Sequence, residues 1–273
     1  MVFFIIGIVL IGGGVGLWFY RKGQLDKALN IRYQETTTAK LIWENYDHIK
    51  DAVGTGNYTE IVEVKGMAVA QKPLIADHTE KPVVYYKATI LREYETQEKE
   101  TDSNGNSRWV TRRNTETVST NEHAIPFYID DNSGKQIRVN MEGAKKITQK
   151  SLDRFEREFS DNYLQQNKDT SWGGQLMNFL GSSNFGSSNT IGYRLIEECI
   201  PINAQLYVYG EASDRQGELA ILKPKEKGQN FIVSVKSEEE LVEDTQSAAK
   251  WSLIGAIACV VLGIGSIVWG ILQ

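Results

Sequence analysis

Cysteine and histidine are scarce in this chain of 273 residues, which contains two Cys and three His. Cys259 lies within an apolar run, so Cys199 is alone in the polar part and a disulfide framework is excluded. A RING domain holds each of its two zinc ions with four Cys or His side chains, commonly in C-x2-C pairs. These 273 residues therefore exclude a RING. We expect His48, His78 and His123 to be scattered surface residues, with a single His/Cys metal site as the alternative.

Signature motifs of catalysis and nucleotide binding are also missing, since the sequence has no G-x-S-x-G, no P-loop and no G-x-G-x-x-G. Cys199 stands beside Glu197 and Glu198, which raise rather than lower a thiol pKa, so it is interpreted as a buried structural residue. Asp130 and Asp131 belong to DDNSG, which is typical of a turn rather than of paired catalytic carboxylates. We therefore expect no catalytic residue, no cofactor and no metal, and a chain that is not itself an enzyme.

Charge is missing from both ends, because every Lys, Arg, Asp and Glu lies between Arg21 and Lys250. The net charge of -5 belongs to that part, and a mildly acidic surface is a poor ligand for nucleic acid. The uncharged runs 2–20 and 251–272 each extend about 30 Å as helices, the thickness of the hydrocarbon core of a bilayer. We interpret both as transmembrane helices. The alternative for the first run, a cleaved signal peptide, requires a basic segment before it.

Basic residues follow the first run directly, at Arg21, Lys22, Lys27 and Arg32. The positive-inside rule then predicts a two-pass membrane protein whose polar region is cytoplasmic, in the cell membrane if the source is prokaryotic.

Small residues recur at a spacing of four within both runs, at Gly12, Gly16, Gly255, Cys259 and Gly263. Two interpretations stay open. Either the glycines let the two helices associate with each other or with a second copy, or they simply face lipid.

The polar region is predicted to hold a helical connector over 21–59 and a β-rich domain over 60–236. Lys40 to Val53 is predicted as a helix with one apolar face, formed by Ile42, Tyr46, Ile49 and Val53. Strands are predicted at 61–70, 83–94, 205–211, 218–222 and 231–235. A hairpin is predicted over 125–141, with buried Ile137, Val139 and Met141, and a hairpin insertion over 95–122.

Three further segments of the polar region are predicted to form a helix, a loop and a second helix. Ser151 is predicted to cap a helix with the apolar stripe Leu152, Phe155, Phe159 and Tyr163. The Gly- and Ser-rich segment 171–191 is predicted as a flexible loop, whose apolar QLMNFL packs on its own domain or touches the membrane surface. Ser237 and Glu240 form a capping box that starts a helical stalk over 237–250, continuous with 251–272.

The order hairpin, helix, hairpin resembles that of a five-stranded oligonucleotide/oligosaccharide-binding (OB) barrel. The predicted fold class is therefore a membrane-anchored α+β chain, mainly β, with a small distorted OB-like β-barrel domain between two transmembrane helices.

The closing part of the chain carries the most specific motifs: LYVYGEA at 206–212, LKP at 222–224 and KGQNFIVSVKSEEEL at 227–241. With these motifs the chain resembles the GIDE family over 60–272, through the beside-a-membrane (BAM) domain of membrane-anchored RING E3 ubiquitin ligases. The family-motif positions are Gly66, Pro73, Tyr85, Tyr86, Gly143, Arg194, Glu197, Glu198, Gly210, Glu211, Pro224, Gly228, Ser234, Ser237 and Glu240.

In those ligases a RING follows the second helix and recruits the ubiquitin-charged conjugating enzyme. Here the sequence ends at Gln273, so the resemblance implies a RING-less member, a form associated with prokaryotes. It implies a membrane-anchored interaction and recruitment module whose partners are the bilayer and one or more unknown proteins. The alternative is an E3 ligase-like role in ubiquitin or ubiquitin-like transfer, with a RING supplied in trans.

Overall fold

The computed structural model describes residues 2–33, 35–101, 105–182, 189–226 and 228–272. The helices are α1 (Val2–Tyr33), α2 (Ala39–Val53), α3 (Asp161–Asn167), α4 (Ser171–Ser182) and α5 (Glu238–Leu272). The strands are β1 (Thr59–Val69), β2 (Leu74–Ile75), β3 (Pro82–Thr101), β4 (Ser107–Ala124), β5 (Phe127–Asp130), β6 (Gln136–Val139), β7 (Lys145–Ile147), β8 (Gln149–Glu156), β9 (Asn189–Pro201), β10 (Gln205–Ser213), β11 (Ala220–Leu222) and β12 (Ile232–Ser234).

Five strands of the larger sheet close into a barrel. They follow the order β1-β5-β6-β11-β10, and β1 pairs again with β10, which completes the ring. The β5–β6 hairpin shows why the sequence favours this arrangement: Phe127 faces Val139 and Ile129 faces Ile137, and all four side chains are fully buried. The predicted mainly β fold with a small barrel is confirmed, as is the hairpin with its buried Met141.

Contacts divide the chain into two compact units. Unit 1 comprises Met1–Lys65, Gly143–Lys145 and Leu206–Gln273, and unit 2 comprises Gly66–Glu142 and Lys146–Gln205. Helices α1, α2 and α5 belong to unit 1, whereas the smaller sheet, α3 and α4 belong to unit 2.

Helix α2 of unit 1 buries only the first half of its predicted apolar face. Its buried residues are Ala39, Ile42 and Tyr46. Ile49 and Val53 were predicted on the same face, but they are 41% and 62% exposed. The second half of the helix therefore presents aliphatic side chains to solvent.

Helix α5 begins at the predicted capping box. The backbone N–H of Ser237 donates to the carboxylate of Glu240 at 2.8 Å, and the N–H of Glu240 donates to Ser237 Oγ at 3.3 Å. From there the helix continues to Leu272, so the predicted stalk and the second apolar run form one helix. In its first turn, Glu238 forms an ion pair with Lys65 of β1 at 2.7 Å.

Helices α1 and α5 pack along each other, and by length and composition both could cross a membrane. On α5, the predicted small residues do lie against α1: Gly255, Cys259 and Gly263. On α1, Gly12 and Gly16 do not pack on α5, because an added Cβ at either position would have no atom within 4 Å, which leaves lipid or a second copy as their neighbour. The close contacts are made by Gly7 and Gly14 instead. Gly7 and Gly14 are seven residues apart, which returns both to the same face of α1.

The sheet of unit 2 is organised around β3, which pairs antiparallel with β4 on one side and with β9 on the other; β8 extends it beyond β9. The β3–β4 hairpin runs from the pair Tyr85–Ala124 to the pair Thr101–Ser107. It is longer than the predicted insertion over 95–122, because β3 already pairs with β4 along the part of β3 that also pairs with β9.

The helix predicted to start at Ser151 is wrong. Residues 149–156 form β8, which pairs with β9 from Gln149–Cys199 to Glu156–Tyr193. The apolar spacing fits a helix, but the edge of β9 offers a ladder of backbone hydrogen bonds that outweighs this weak local preference. The helix starts later, at α3, where Ser160 Oγ accepts the N–H of Tyr163 at 3.3 Å.

The flexible loop predicted over 171–191 is also wrong over its first part, which forms α4. Trp172 and Leu176 are buried against Ile90, Tyr193 and Leu195, so the apolar QLMNFL segment packs on its own domain. Residues 183–188 lie outside the described residues, and 189–191 belong to β9. Glycine in this segment serves close packing, since an added Cβ at position 173 would collide with a backbone carbonyl of the preceding turn.

Candidate functional site

The family-motif positions fall into two groups, one in each unit. Unit 2 holds Gly66, Pro73, Tyr85, Tyr86, Arg194, Glu197 and Glu198. Unit 1 holds Gly143, Gly210, Glu211, Pro224, Gly228, Ser234, Ser237 and Glu240. The structure shows what most of them do locally.

Glu197 of β9 is a fully buried carboxylate in unit 2. It accepts the backbone N–H of His78 at 2.7 Å, the hydroxyl of Ser151 at 2.8 Å and the hydroxyl of Thr79. Burial raises the pKa of the Glu197 carboxyl, but the hydrogen bonds from Thr79, His78 and Ser151 outweigh burial and hold the pKa below its usual range. Glu197 thereby fixes the connection between β2 and β3.

Tyr85 and Tyr86 point to opposite faces of β3, because they are neighbours on a strand. The phenol of Tyr86 donates to Asp77 at 3.0 Å, and that of Tyr85 donates to Glu122 at 3.0 Å. Burial, reinforced by the carboxylates, raises the pKa of both phenols, so both act as neutral hydrogen-bond donors. Their role is to tie the sheet to its flanking segments.

Arg194 of β9 lies between two carboxylates, donating to Glu93 at 2.8 Å and to Asp153 at 2.9 Å. On the same strand, Glu198 stands in register with Lys87 and Lys150. The two ion pairs of Arg194 are partly solvent-exposed and contribute modestly to stability. They set the register of β9 between its two neighbours.

Two glycines are required by close packing. At Gly66 of unit 2, an added Cβ would lie 2.6 Å from the carbonyl oxygen of Asp130. At Gly210 of unit 1, it would lie 2.8 Å from the side chains of both Ile221 and Phe231. Nothing in the structure explains why position 73 is proline.

Glu211 of β10 is a second buried carboxylate, 2% exposed, in unit 1. It forms an ion pair with Arg215 and accepts the backbone N–H of Lys225 at 3.1 Å. Arg215 in turn donates to the carbonyl of Lys223, beside the buried Pro224. Glu211 thus closes the β10–β11 turn.

The remaining motif positions of unit 1 shape turns. Gly143 and Gly228 have φ angles of 75° and 96°, a region that favours glycine. The hydroxyl of Ser234 accepts the N–H of Lys236 at 2.9 Å and so shapes the bend that leads into the capping box.

A surface groove between α2 and the start of β1 is the feature that sequence reasoning missed. Its volume is about 350 Å³, and it is lined by Asn45, His48, Ile49, Asn57, Tyr58, Thr59 and Glu60. None of these is a family-motif position. The sequence offered one signal for this groove, the apolar stripe of α2. The stripe continues beyond the buried Tyr46 to Ile49, which stays exposed.

The groove places a carboxylate beside an aliphatic side chain. Glu60 accepts a hydrogen bond from Asn45 at 3.3 Å and one from the phenol of Tyr58. Burial, followed by the hydrogen bond to Glu60, raises the pKa of Tyr58. Asp214 accepts the N–H of Tyr58 at 3.1 Å and holds that wall in place. With Ile49 in its lining as well, the groove presents an acidic and an aliphatic side chain side by side.

The cysteine and histidine side chains differ in their burial. Cys199 is 1% exposed and burial raises the pKa of its thiol, which confirms a buried structural cysteine. His48 and His123 are exposed as predicted, but the ring nitrogens of His78 are buried, which corrects the prediction for that residue. Across the described ranges, no three His, Cys, Asp or Glu side chains come together as metal ligands.

Comparison with known proteins gives one match. The GIDE family model, described as "E3 Ubiquitin ligase", matches residues 95–269, which is more than half of the chain. The match includes the family-motif positions from Gly143 onward, whereas Gly66, Pro73, Tyr85 and Tyr86 precede it. No curated protein and no solved structure matches significantly.

Proposed function

Because this chain belongs to the GIDE family of E3 ubiquitin ligases, we propose that it is a membrane-anchored recruitment module of that family. In this proposal α1 and α5 cross the bilayer, and unit 1 binds a protein partner in the groove between α2 and β1. The observation that carries it is the continuity of α5 from the capping box to Leu272, with its first turn tied to β1 by the Lys65–Glu238 ion pair. The polar part of this helix rises ~20 Å, so a partner bound by unit 1 is held close to the membrane.

The chemistry of the groove defines the kind of partner. Leu41, Ile49 and Val53 lie at spacings of four or eight on one face of α2, and they are 45%, 41% and 62% exposed. Of these three, Ile49 lines the groove, where Glu60 supplies a carboxylate. The segment that fits carries aliphatic side chains and a Lys or Arg, because a charge-assisted hydrogen bond to Glu60 would complement the aliphatic contact.

The description of the family favours a second candidate, a part in ubiquitin transfer. The sequence contains two Cys and three His, and Cys199 is buried. In this candidate the chain recruits to the membrane another protein whose RING carries the zinc ligands.

Affinity purification of the full chain from native membranes tests the recruitment proposal. We expect Ile49→Arg to reduce retention of the partner by roughly tenfold or more, because a charge replaces an aliphatic contact at the centre of the groove. Trp109→Arg is the matched control, since Trp109 is apolar, 68% exposed and in unit 2. Inserting Gly-Gly after Gln246 should also weaken retention while α1 and α5 still insert.

Identical retained proteins in wild type and Ile49→Arg contradict the assignment of the groove. A RING-containing protein that is retained by wild type and lost from Ile49→Arg supports the second candidate.

We further propose that the polar region faces the cytoplasm, because four basic residues follow the first apolar run. A single cysteine at Asn132, in the exposed β5–β6 turn of a variant lacking the native cysteines, tests this. We expect an impermeant maleimide to label it only after the cells are permeabilised. Strong labelling in intact cells would reverse the orientation.

Self-association belongs to the same proposal. Gly12, Gly13 and Gly16 have no atom within 4 Å of an added Cβ, so this face of α1 is open to lipid or to a second copy. Small residues one turn apart are the kind of surface on which membrane helices pair closely.

A further inference from the structure

Three buried nitrogen atoms without a hydrogen-bond partner meet at one contact in unit 2. They are His78 Nδ1, His78 Nε2 and Trp172 Nε1, and they are the buried side-chain polar atoms without partners among the residues the structure describes. The two rings lie edge to face, with centroids 4.9 Å apart and an interplanar angle of 76°. Buried polar groups are normally paired, so such a concentration at a single contact requires an explanation.

The contact joins α4 to the turn between β2 and β3, and the neighbouring apolar cluster joins α4 to the sheet. Trp172 is 2% exposed and, with Leu176, packs in the apolar cluster of Ile90, Tyr193 and Leu195. Beyond these apolar contacts, Gln175 accepts a hydrogen bond from Ser119 of β4 at 3.1 Å. The sequence of α4, SWGGQLMNFLGS, contains no charged residue, so no ion pair from this helix holds it in place.

Charged groups around His78 come from its own connection and from the sheet. Glu197 of β9 and Asp77 favour a protonated imidazole, and Arg154 of β8 opposes it. Burial is the largest influence, however, and it lowers the pKa of His78. The carboxylate of Glu197 is already engaged by the N–H of His78, the hydroxyl of Ser151 and the hydroxyl of Thr79, so it is not directed at the ring.

We propose that the His78–Trp172 contact is an acid-sensitive latch that holds α4 on the sheet of unit 2. A neutral imidazole carries one nitrogen lone pair, the kind of acceptor that the buried indole N–H of Trp172 lacks. An imidazolium has only donors, and its charge requires water. Protonation therefore favours the state in which α4 is released and its apolar face is exposed.

The sign of the pH dependence follows from linkage. The docked state disfavours the proton, whereas in the released state His78 is solvated and titrates near its ordinary pKa of 6.5. Docking is therefore strongest above that value and weakens as pH falls below it. The equilibrium constant for release rises by up to about tenfold per pH unit until the lower pKa of the docked state is reached.

Hydrogen exchange on the full chain in phosphatidylcholine nanodiscs, from pH ~5 to ~8, tests the latch. After correction for intrinsic rates, we expect amides of α4 in wild type to lose protection by roughly tenfold per unit below pH ~6.5, while amides of α2 keep theirs. His78→Gln, which cannot gain a charge, should give α4 a protection that does not vary with pH. His123→Gln removes an exposed histidine and should behave as wild type.

If the amides of α4 in wild type keep the same protection against hydrogen exchange from pH ~5 to ~8, the latch is overturned. This outcome needs only the wild-type chain, so it does not depend on whether the variants fold. A pH dependence that persists in His78→Gln overturns it as well, because another group would then be the sensor.

Discussion

Glu197→Ala is expected to lower the free energy of unfolding by about 3 kcal/mol, measured by urea denaturation of the full chain in detergent micelles. The substitution removes the acceptor for the N–H of His78 and for the hydroxyls of Thr79 and Ser151, and Glu197 itself is fully buried. Buried donors left without an acceptor keep their desolvation penalty without the compensating hydrogen bond.

Glu198→Ala is the matched control on the same strand. Glu198 is half-buried and lies opposite Lys87 and Lys150, so we expect its loss to cost less than about 1 kcal/mol. Equal effects of the two substitutions would show that Glu197 has no special role.

The contribution of Glu197 also depends on pH. Since the hydrogen bonds hold the folded-state pKa of this carboxyl below its usual 4.5, the stabilisation is fully present above that value and is lost as pH falls through the folded-state pKa. The stability difference between wild type and Glu197→Gln should therefore narrow below pH ~4. A constant difference would contradict the role of the ionised carboxylate.

Gly7→Leu is expected to separate α1 from α5. An added Cβ at Gly7 would collide with the side chain of Ile267 and lie 2.8 Å from the carbonyl oxygen of Gly263. A leucine there would push the helix axes toward the 8–10 Å that larger side chains require, at a cost of roughly 1–3 kcal/mol. Spin labels at the exposed positions Val9 and Val261, in a variant lacking the native cysteines, should report a longer and broader distance distribution.

Gly12→Leu is the matched control in the same helix, because an added Cβ at Gly12 has no atom within 4 Å. It should leave the α1–α5 distance as in wild type. If two chains associate through this face of α1, Gly12→Leu should lower the fraction of dimer and leave the α1–α5 distance unchanged. Broadening of the α1–α5 distance by Gly12→Leu to the same extent would refute the packing seen at Gly7.

Several parts of this protein were determined by sequence alone, because their cause is local. The uncharged terminal runs predicted two long apolar helices, since length and composition suffice for that inference. The capping box at Ser237 and Glu240 needs only residues within one turn, and both of its hydrogen bonds are present. The alternation around Ile137 and Val139 predicted a hairpin because strand period and turn chemistry lie within one segment.

Other features were decided by tertiary structure. Residues 149–156 have helical apolar spacing but form a strand, because β9 supplies a pairing edge that is distant in sequence. Segment 171–182 has the composition of a loop but forms a helix, because Trp172 and Leu176 fill an apolar cluster on the sheet. Gly7 and Gly14, rather than Gly12 and Gly16, face α5, since only the crossing of two helices selects which glycines meet. The acceptor role of Glu197 and the contact of His78 with Trp172 each join segments far apart in the chain. Local propensity cannot encode such juxtapositions, because they depend on how the whole chain packs.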